Sequence, residues 1–180
     1  MNGEEFYKKF RNEFDPNHNS NVKAVYAQDR ELRPSEWTDL MSNVLLEVMR
    51  KAGFDSSTHL QEVPLRKGKN RGLVDHKWQA QNQTVFIEHE NNIRPSVESE
   101  IRNLLNSDGD LRILITYSTD SSKRDSLRES LYKQLKESKS SRKFEFLLII
   151  GTDSSMKSYK SWEAFHYRPS FEEIPLGSES

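Results

Sequence analysis

Apolar positions in this 180-residue chain gather in a few segments separated by strongly polar stretches. In PSEWTDLMSNVLLEVMRKAGF, Trp37, Leu40, Met41, Val44, Leu45, Val48 and Met49 recur at helical spacing, which predicts an amphipathic helix. Ser35 is its expected N-cap, and Lys51 with Gly53 marks its end. HLQEVPL reads as a short strand, and GLVDHKW and QTVFIEHE read as a hairpin joined through QAQN. PSVESEIRNLLNSDG predicts a capped helix with Val97, Ile101, Leu104 and Leu105 turned inward. LRILITYS reads as a buried strand, SSKRDSLRESLYKQLKES as a helix with Leu127, Leu131 and Leu135 on one stripe, and FEFLLIIG as another buried strand. SWEAFHYRP reads as a final, more exposed strand. Ahead of all these, EEFYKKFRNEF predicts a short helix with Phe6, Phe10 and Phe14 on one face, broken by DPNHNSN.

The order is helix, three strands, helix, strand, helix, strand. The continuous apolar runs of the later strands predict burial on both faces by helices. The expected fold class is therefore α/β, a mixed β-sheet flanked by helices with an α-β-β-β-α-β core. No repeat or linker divides the chain, so a single domain over 1–180 is expected. Its core spans about 35–150, with an N-terminal helical extension over about 1–33 and a C-terminal strand or tail over about 151–180.

With 33% hydrophobic and 31% charged residues, the core must be built from those few segments. There is no cysteine, which excludes disulfides and thiolate metal sites. MNGEEFYKKF is too charged for a secretory signal and no apolar run approaches membrane-spanning length, so an intracellular, cytoplasmic protein with no membrane partner is expected. The net charge of -1 argues against a general nucleic-acid coat protein, but the charge is uneven. RKGKNRGLVDHK carries Arg66, Lys67, Lys69, Arg71 and Lys77 against one acid. A second basic run, KQLKESKSSRK, reads as a solvated surface.

The first basic run leads into a concentration of acids. Alternate strand residues share a face, so Glu88 and Glu90 point one way and His89 the other. Asp75 shares its face with Lys77 on the preceding strand. A hairpin symmetric about Gln81–Asn82 sets Asp75 opposite Glu88, and a turn shifted by one residue sets it opposite Glu90. An odd loop would set it opposite His89 and spoil the cluster. Three carboxylates on one face repel one another and raise their own pKa values, a conflict that a hard divalent cation removes. His89, facing away, reads as a helix-packed histidine bonded to backbone.

LVD followed across a short hairpin by VFIEHEN, with a helix before and after, resembles the PD-(D/E)XK nuclease superfamily, whose restriction-endonuclease-like core has the same element order over roughly 35–150. The resemblance implies a metal-dependent nuclease using Mg²⁺, with Mn²⁺ as a substitute, on nucleic acid, DNA above all. Asp75 takes the place of the motif's Asp and Glu88 of its acidic position. The motif's lysine position is occupied by Glu90, and Val74 stands where the proline would be. Lys77, on the face of Asp75, is a candidate for the migrated lysine. Many members also carry a metal-facing Glu on the first helix. Glu36 and Glu47, eleven residues apart on one edge of the apolar stripe, are equal candidates.

Within that reading, Asp75, Glu88 and Glu90 with either Glu36 or Glu47 hold the metal. Asp75, Glu88, Glu90 and Lys77 carry the chemistry. Arg66, Lys67, Lys69 and Arg71 hold the nucleic-acid backbone, with Gly68 and Gly72 allowing close approach. The N-terminal helix is the candidate interface for a homodimer. Two other readings stay open: a nuclease-fold binding module without catalysis, favoured by Glu90 at the lysine position, and an unrelated α/β protein whose acids pair with Arg66 or Arg71. A nucleotide-binding enzyme is disfavoured by the lack of a phosphate-binding glycine loop.

Overall fold

A computed structural model of the chain describes residues 1–28, 33–64, 73–80, 82–90, 97–138, 143–152, 162–170 and 172–176. The four-residue spacing of Phe6, Phe10 and Phe14 produces α1 (Gly3–Glu13), opened by a capping box in which Asn2 and Glu5 bond each other's backbone N–H. The three rings are fully buried, and α1 packs into the main core rather than beside it. A short α2 (Ser20–Tyr26), capped by Asn19, follows where only a break was expected. The long amphipathic stripe forms α3 (Pro34–Lys51). Its N-cap is Arg33, not Ser35, because Pro34 takes the first helical position, where a missing N–H costs nothing.

The strands are β1 (Leu60–Pro64), β2 (Leu73–Ala80), β3 (Gln83–His89), β4 (Leu111–Tyr117), β5 (Glu145–Gly151), β6 (Trp162–Tyr167) and β7 (Glu173–Leu176). They form one mixed seven-stranded sheet in sequence order. β3, β4 and β5 are parallel, and the remaining pairs are antiparallel. The parallel crossovers run through α4 (Val97–Asn106) and α5 (Ser121–Glu137). Alternation along the strands divides the core into two layers. α1 and α3 cover Trp78, Val85, Ile87, Ile113 and Ile115 on one face. α4 and α5 cover Phe86, Leu114, Phe146, Leu148 and Ile150 on the other. Every residue of β4 is buried, including Arg112 and Thr116, which interrupt its otherwise apolar run.

β6 is a correction: Trp162, Ala164, Phe165, His166 and Tyr167 are all buried, although a more exposed strand was expected. Two of its polar groups are answered from inside, while His166 Nδ1 is buried without a partner. The Tyr7 hydroxyl donates to the Trp162 carbonyl, and His166 Nε2 pairs with Glu145 at 2.8 Å. The sheet edges are β1, with Pro64, and the four-residue β7, with Pro175. No helix among the described residues is long and apolar enough to cross a membrane.

α4 is fastened from beneath by Arg112 of β4, which is 1% exposed. Its guanidinium donates to the carbonyls of Leu105 (2.8 Å), Ser107 (2.9 Å) and Gly109 (3.2 Å) and lies 3.5 Å over the Phe144 ring. The Leu105 carbonyl is in the last turn of α4 and the other two follow its end, where a cation complements the helix dipole. Arg112→Ala, which strands three buried acceptors, is expected to lower the urea unfolding free energy by about 3 kcal/mol. A loss near zero would show that water replaces the guanidinium.

Candidate functional site

The β2–β3 ladder runs from Ala80↔Gln83 to His76↔Ile87, with two residues of sequence between the strands. This is the even-loop register symmetric about Gln81–Asn82. One step further it sets Asp75 opposite Glu88, the first of the expected pairings. There the backbone ladder gives way to side chains. The Asp75 N–H donates to Glu88 Oε2 at 3.2 Å, and the His89 N–H donates to Asp75 Oδ2 at 2.9 Å. The two strands are thus held by the carboxylates themselves.

Glu88 is 3% exposed, and its second oxygen, Oε1, has no hydrogen-bond partner. Burial first, then the neighbouring Asp75 and Glu100 carboxylates, push it up to about 10. Burial also raises Asp75, helped by Glu100 and Glu62 and opposed by the His89 N–H. Glu62 occupies the β1 register position beside Asp75, between the pairs Gln61↔His76 and Val63↔Val74. It has a left-handed φ of 49°, an uncommon conformation for a side chain of this size.

Glu100, on α4, is the functional candidate that the strand motif did not reveal. Its carboxylate lies within hydrogen-bonding reach of Glu88 and is held by Asn103 Nδ2 at 3.1 Å. A signal was present in the sequence. Glu100 is three residues after Val97 and four before Leu104, on the margin of the apolar stripe of α4.

The other candidates are placed as follows. Lys77 shares the face of Asp75, with Nζ 5.6 Å over the ring of Phe86. Glu90 lies just past β3, half-buried, with its N–H donating to the Ile115 carbonyl at 2.9 Å. Glu36 accepts from the Arg33 N–H and guanidinium, and Glu47 pairs with Arg50 at 2.9 Å. Both sit on α3, which packs against the layer of Trp78 and Ile87, the reverse of the face that carries Phe86 and Glu88. The helix that brings an acid to Asp75 and Glu88 is α4. Arg66, Lys67, Lys69 and Arg71, with Gly68 and Gly72, lie outside the described residues.

The reverse face carries a buried aromatic and imidazole group. His89 Nε2 pairs with the Tyr117 hydroxyl at 2.7 Å, so its partner is a phenol rather than the backbone. His76 Nδ1 meets His59 Nε2 at 3.0 Å, and the His59 ring stacks on Trp78 with centroids 4.1 Å apart. Burial depresses His76 to about 4 and His89 to about 3, so both are neutral at physiological pH.

The donor set on the acid face is all oxygen, which suits a hard divalent cation and no soft one. Among the described residues no group of three or more acids and histidines could hold a metal ion by itself. Mg²⁺ is commonly held by one or two carboxylates plus substrate oxygens. No protein-family model and no curated protein matches the chain.

Proposed function

We propose that this protein is a metal-dependent nuclease with a restriction-endonuclease-like core, hydrolysing phosphodiester bonds in nucleic acid, DNA above all. The observation that carries the reading is Glu88: a nearly fully buried carboxylate with an unpartnered oxygen, set across the hairpin from Asp75. Burying two acids together costs stability unless a positive species joins them. The element order and the strand sequence of β2 and β3 support the same family.

In this reading Asp75 and Glu88 would hold Mg²⁺ or Mn²⁺ through oxygen, and the ion would supply a more acidic water and positive charge against the scissile phosphate. The water would lose a proton as its oxygen bonds to phosphorus, the P–O ester bond would break, and the leaving oxygen would take up a proton. Glu90, beyond the end of β3, orients the water or completes the ligand set. Lys77 lies on the same face and offsets charge that develops on the phosphate. The chain leaves β1 at Pro64 and enters β2 at Leu73, two residues before Asp75. The basic segment from Arg66 to Arg71 lies between them in the sequence, outside the described residues, and in this reading contacts the nucleic-acid backbone in a salt-dependent way.

The test is cleavage of labelled DNA and RNA panels with Mg²⁺ or Mn²⁺ by the wild type, Asp75→Ala and Glu88→Ala. Metal-dependent cutting lost in both variants is the expected result. Metal binding without cutting on any substrate would favour the second reading, a nuclease-fold binding module, for which Glu90 at the lysine position speaks.

A further inference from the structure

We propose that the outer stripe of α5 is a self-complementary interface on which a second copy of this chain docks antiparallel, about a two-fold axis. Asp125, Glu129, Tyr132 and Lys136 follow one another at four-, three- and four-residue steps, so they stand in one line along the helix. All four are exposed, and Tyr132 is the one large apolar side chain left so open among the described helices. The leading half of the stripe is acidic and the trailing half basic, with Lys133 beside Lys136. Turned end for end, it matches itself. Rotation about a point between Ser130 and Leu131 sets Lys136 level with Asp125 of the second copy and Tyr132 level with its Glu129. In such an isologous pair each contact occurs twice.

A hollow receives the lysine. Asp125, Arg128, Glu129 and Tyr132 of α5, with Glu172 and Glu173 around the start of β7, line a cavity of about 500 Å³. It holds four acids against one arginine, and that arginine is committed to Glu173 and to the ring of Phe165. Its second contact, with Asp125 at 3.3 Å, is exposed and costs little to give up. Among the described residues Glu129, Glu172, Lys133 and Lys136 form no ion pair, although Glu129 and Lys133 stand at a spacing that allows one. Lys136 Nζ rests over the Tyr132 ring, 4.3 Å from its centroid, on the open side of the helix. Other occupants fit less well. Nucleic acid calls for a basic surface, and the acid half of the stripe repels phosphate. A basic peptide would satisfy the hollow but would face Lys133 and Lys136. α1 offers no such stripe, because its apolar face is buried in the core of its own chain. One helix stripe is at the small end of interface sizes, so the pair is weak and reversible.

The experiment is sedimentation equilibrium of the full chain over a range of concentrations. The samples are wild type, Asp125→Lys, Lys136→Glu and an equimolar mixture of the two variants. Wild type should dimerise, and the dimer should weaken as salt rises from roughly 50 mM to roughly 500 mM. Each variant alone sets like charges together at both symmetric contacts, so its dissociation constant should rise on the order of tenfold. In the mixture every contact again joins opposite charges, so association should return as a heterodimer. A misfolded variant could not be rescued in this way. A dimer that neither substitution weakens, or a mixture that does not recover association, would overturn the proposal. A wild type that stays monomeric would also overturn it, and binding of an oligolysine peptide by that monomer would assign the hollow to a basic partner instead.

Discussion

Glu88→Gln is expected to make the metal-free protein more stable near pH 8 and, in the same variant, to abolish metal-dependent cutting. The native state holds the Glu88 proton up to about 10, whereas the unfolded chain releases it near the ordinary 4.5. The stability contributed by protonated Glu88 is complete below the unfolded value and is lost progressively as pH rises toward the folded one. The slope is about 1.4 kcal/mol per pH unit for the proton involved. A neutral amide of the same shape has no such decline, so the melting-temperature gain of Glu88→Gln should widen with pH in chelator. Mg²⁺ should flatten the wild-type decline and do nothing for the variant. Cutting should fall by more than about 100-fold, because even changes around the ligands of a metal cost roughly 10- to 100-fold. A variant less stable than wild type near pH 8 would show that Glu88 is held by a buried cationic partner.

Acid should destabilise the protein through the opposite face of the sheet. His76 and His89 have folded values near 4 and 3, below the ordinary 6.5, because burial disfavours the imidazolium. Their contribution is present above 6.5 and is lost as pH falls through the folded values. The unfolded chain there takes up about two protons that the native state refuses, a slope of roughly 2.7 kcal/mol per pH unit. Glu88 and Asp75, both raised, act in the reverse sense in this range, while His59, also lowered by burial, adds to the two imidazoles. Stability in chelator should therefore peak slightly below neutrality and fall on both sides. Urea denaturation across pH checks this, with His76→Gln and His89→Gln expected to soften the acid limb alone. A profile flat from pH 6 to 4 would refute neutral, buried imidazoles.

The elements easiest to read in the sequence were those whose burial is set by their own pattern. α3, α4 and α5 follow from apolar stripes, and β4 and β5 from predominantly apolar runs. The pairing of Asp75 with Glu88 was legible as one of a few registers, because a two-residue turn leaves little freedom. What stayed hidden depended on partners far along the chain. β6 looked half-polar because Glu163, His166 and Arg168 break its pattern, yet His166 is buried against Glu145. β7 has four residues including a proline, too few for alternation to show. Glu100 belongs to the acid cluster only because the β3–α4–β4 crossover lays α4 over the end of β2. A strand motif has no reach across that distance.

The prolines at the two margins of the sheet bear on how this chain can associate. β1 carries Pro64 and the left-handed Glu62, and β7 is short and carries Pro175. A neighbouring strand laid along either margin meets a missing N–H, and along β1 a local twist as well, so neither border offers a continuous template. Among the described residues, growth by strand addition is disfavoured at both ends of the sheet. The outer faces of the helices, not the sheet margins, are then the broad surfaces left for association.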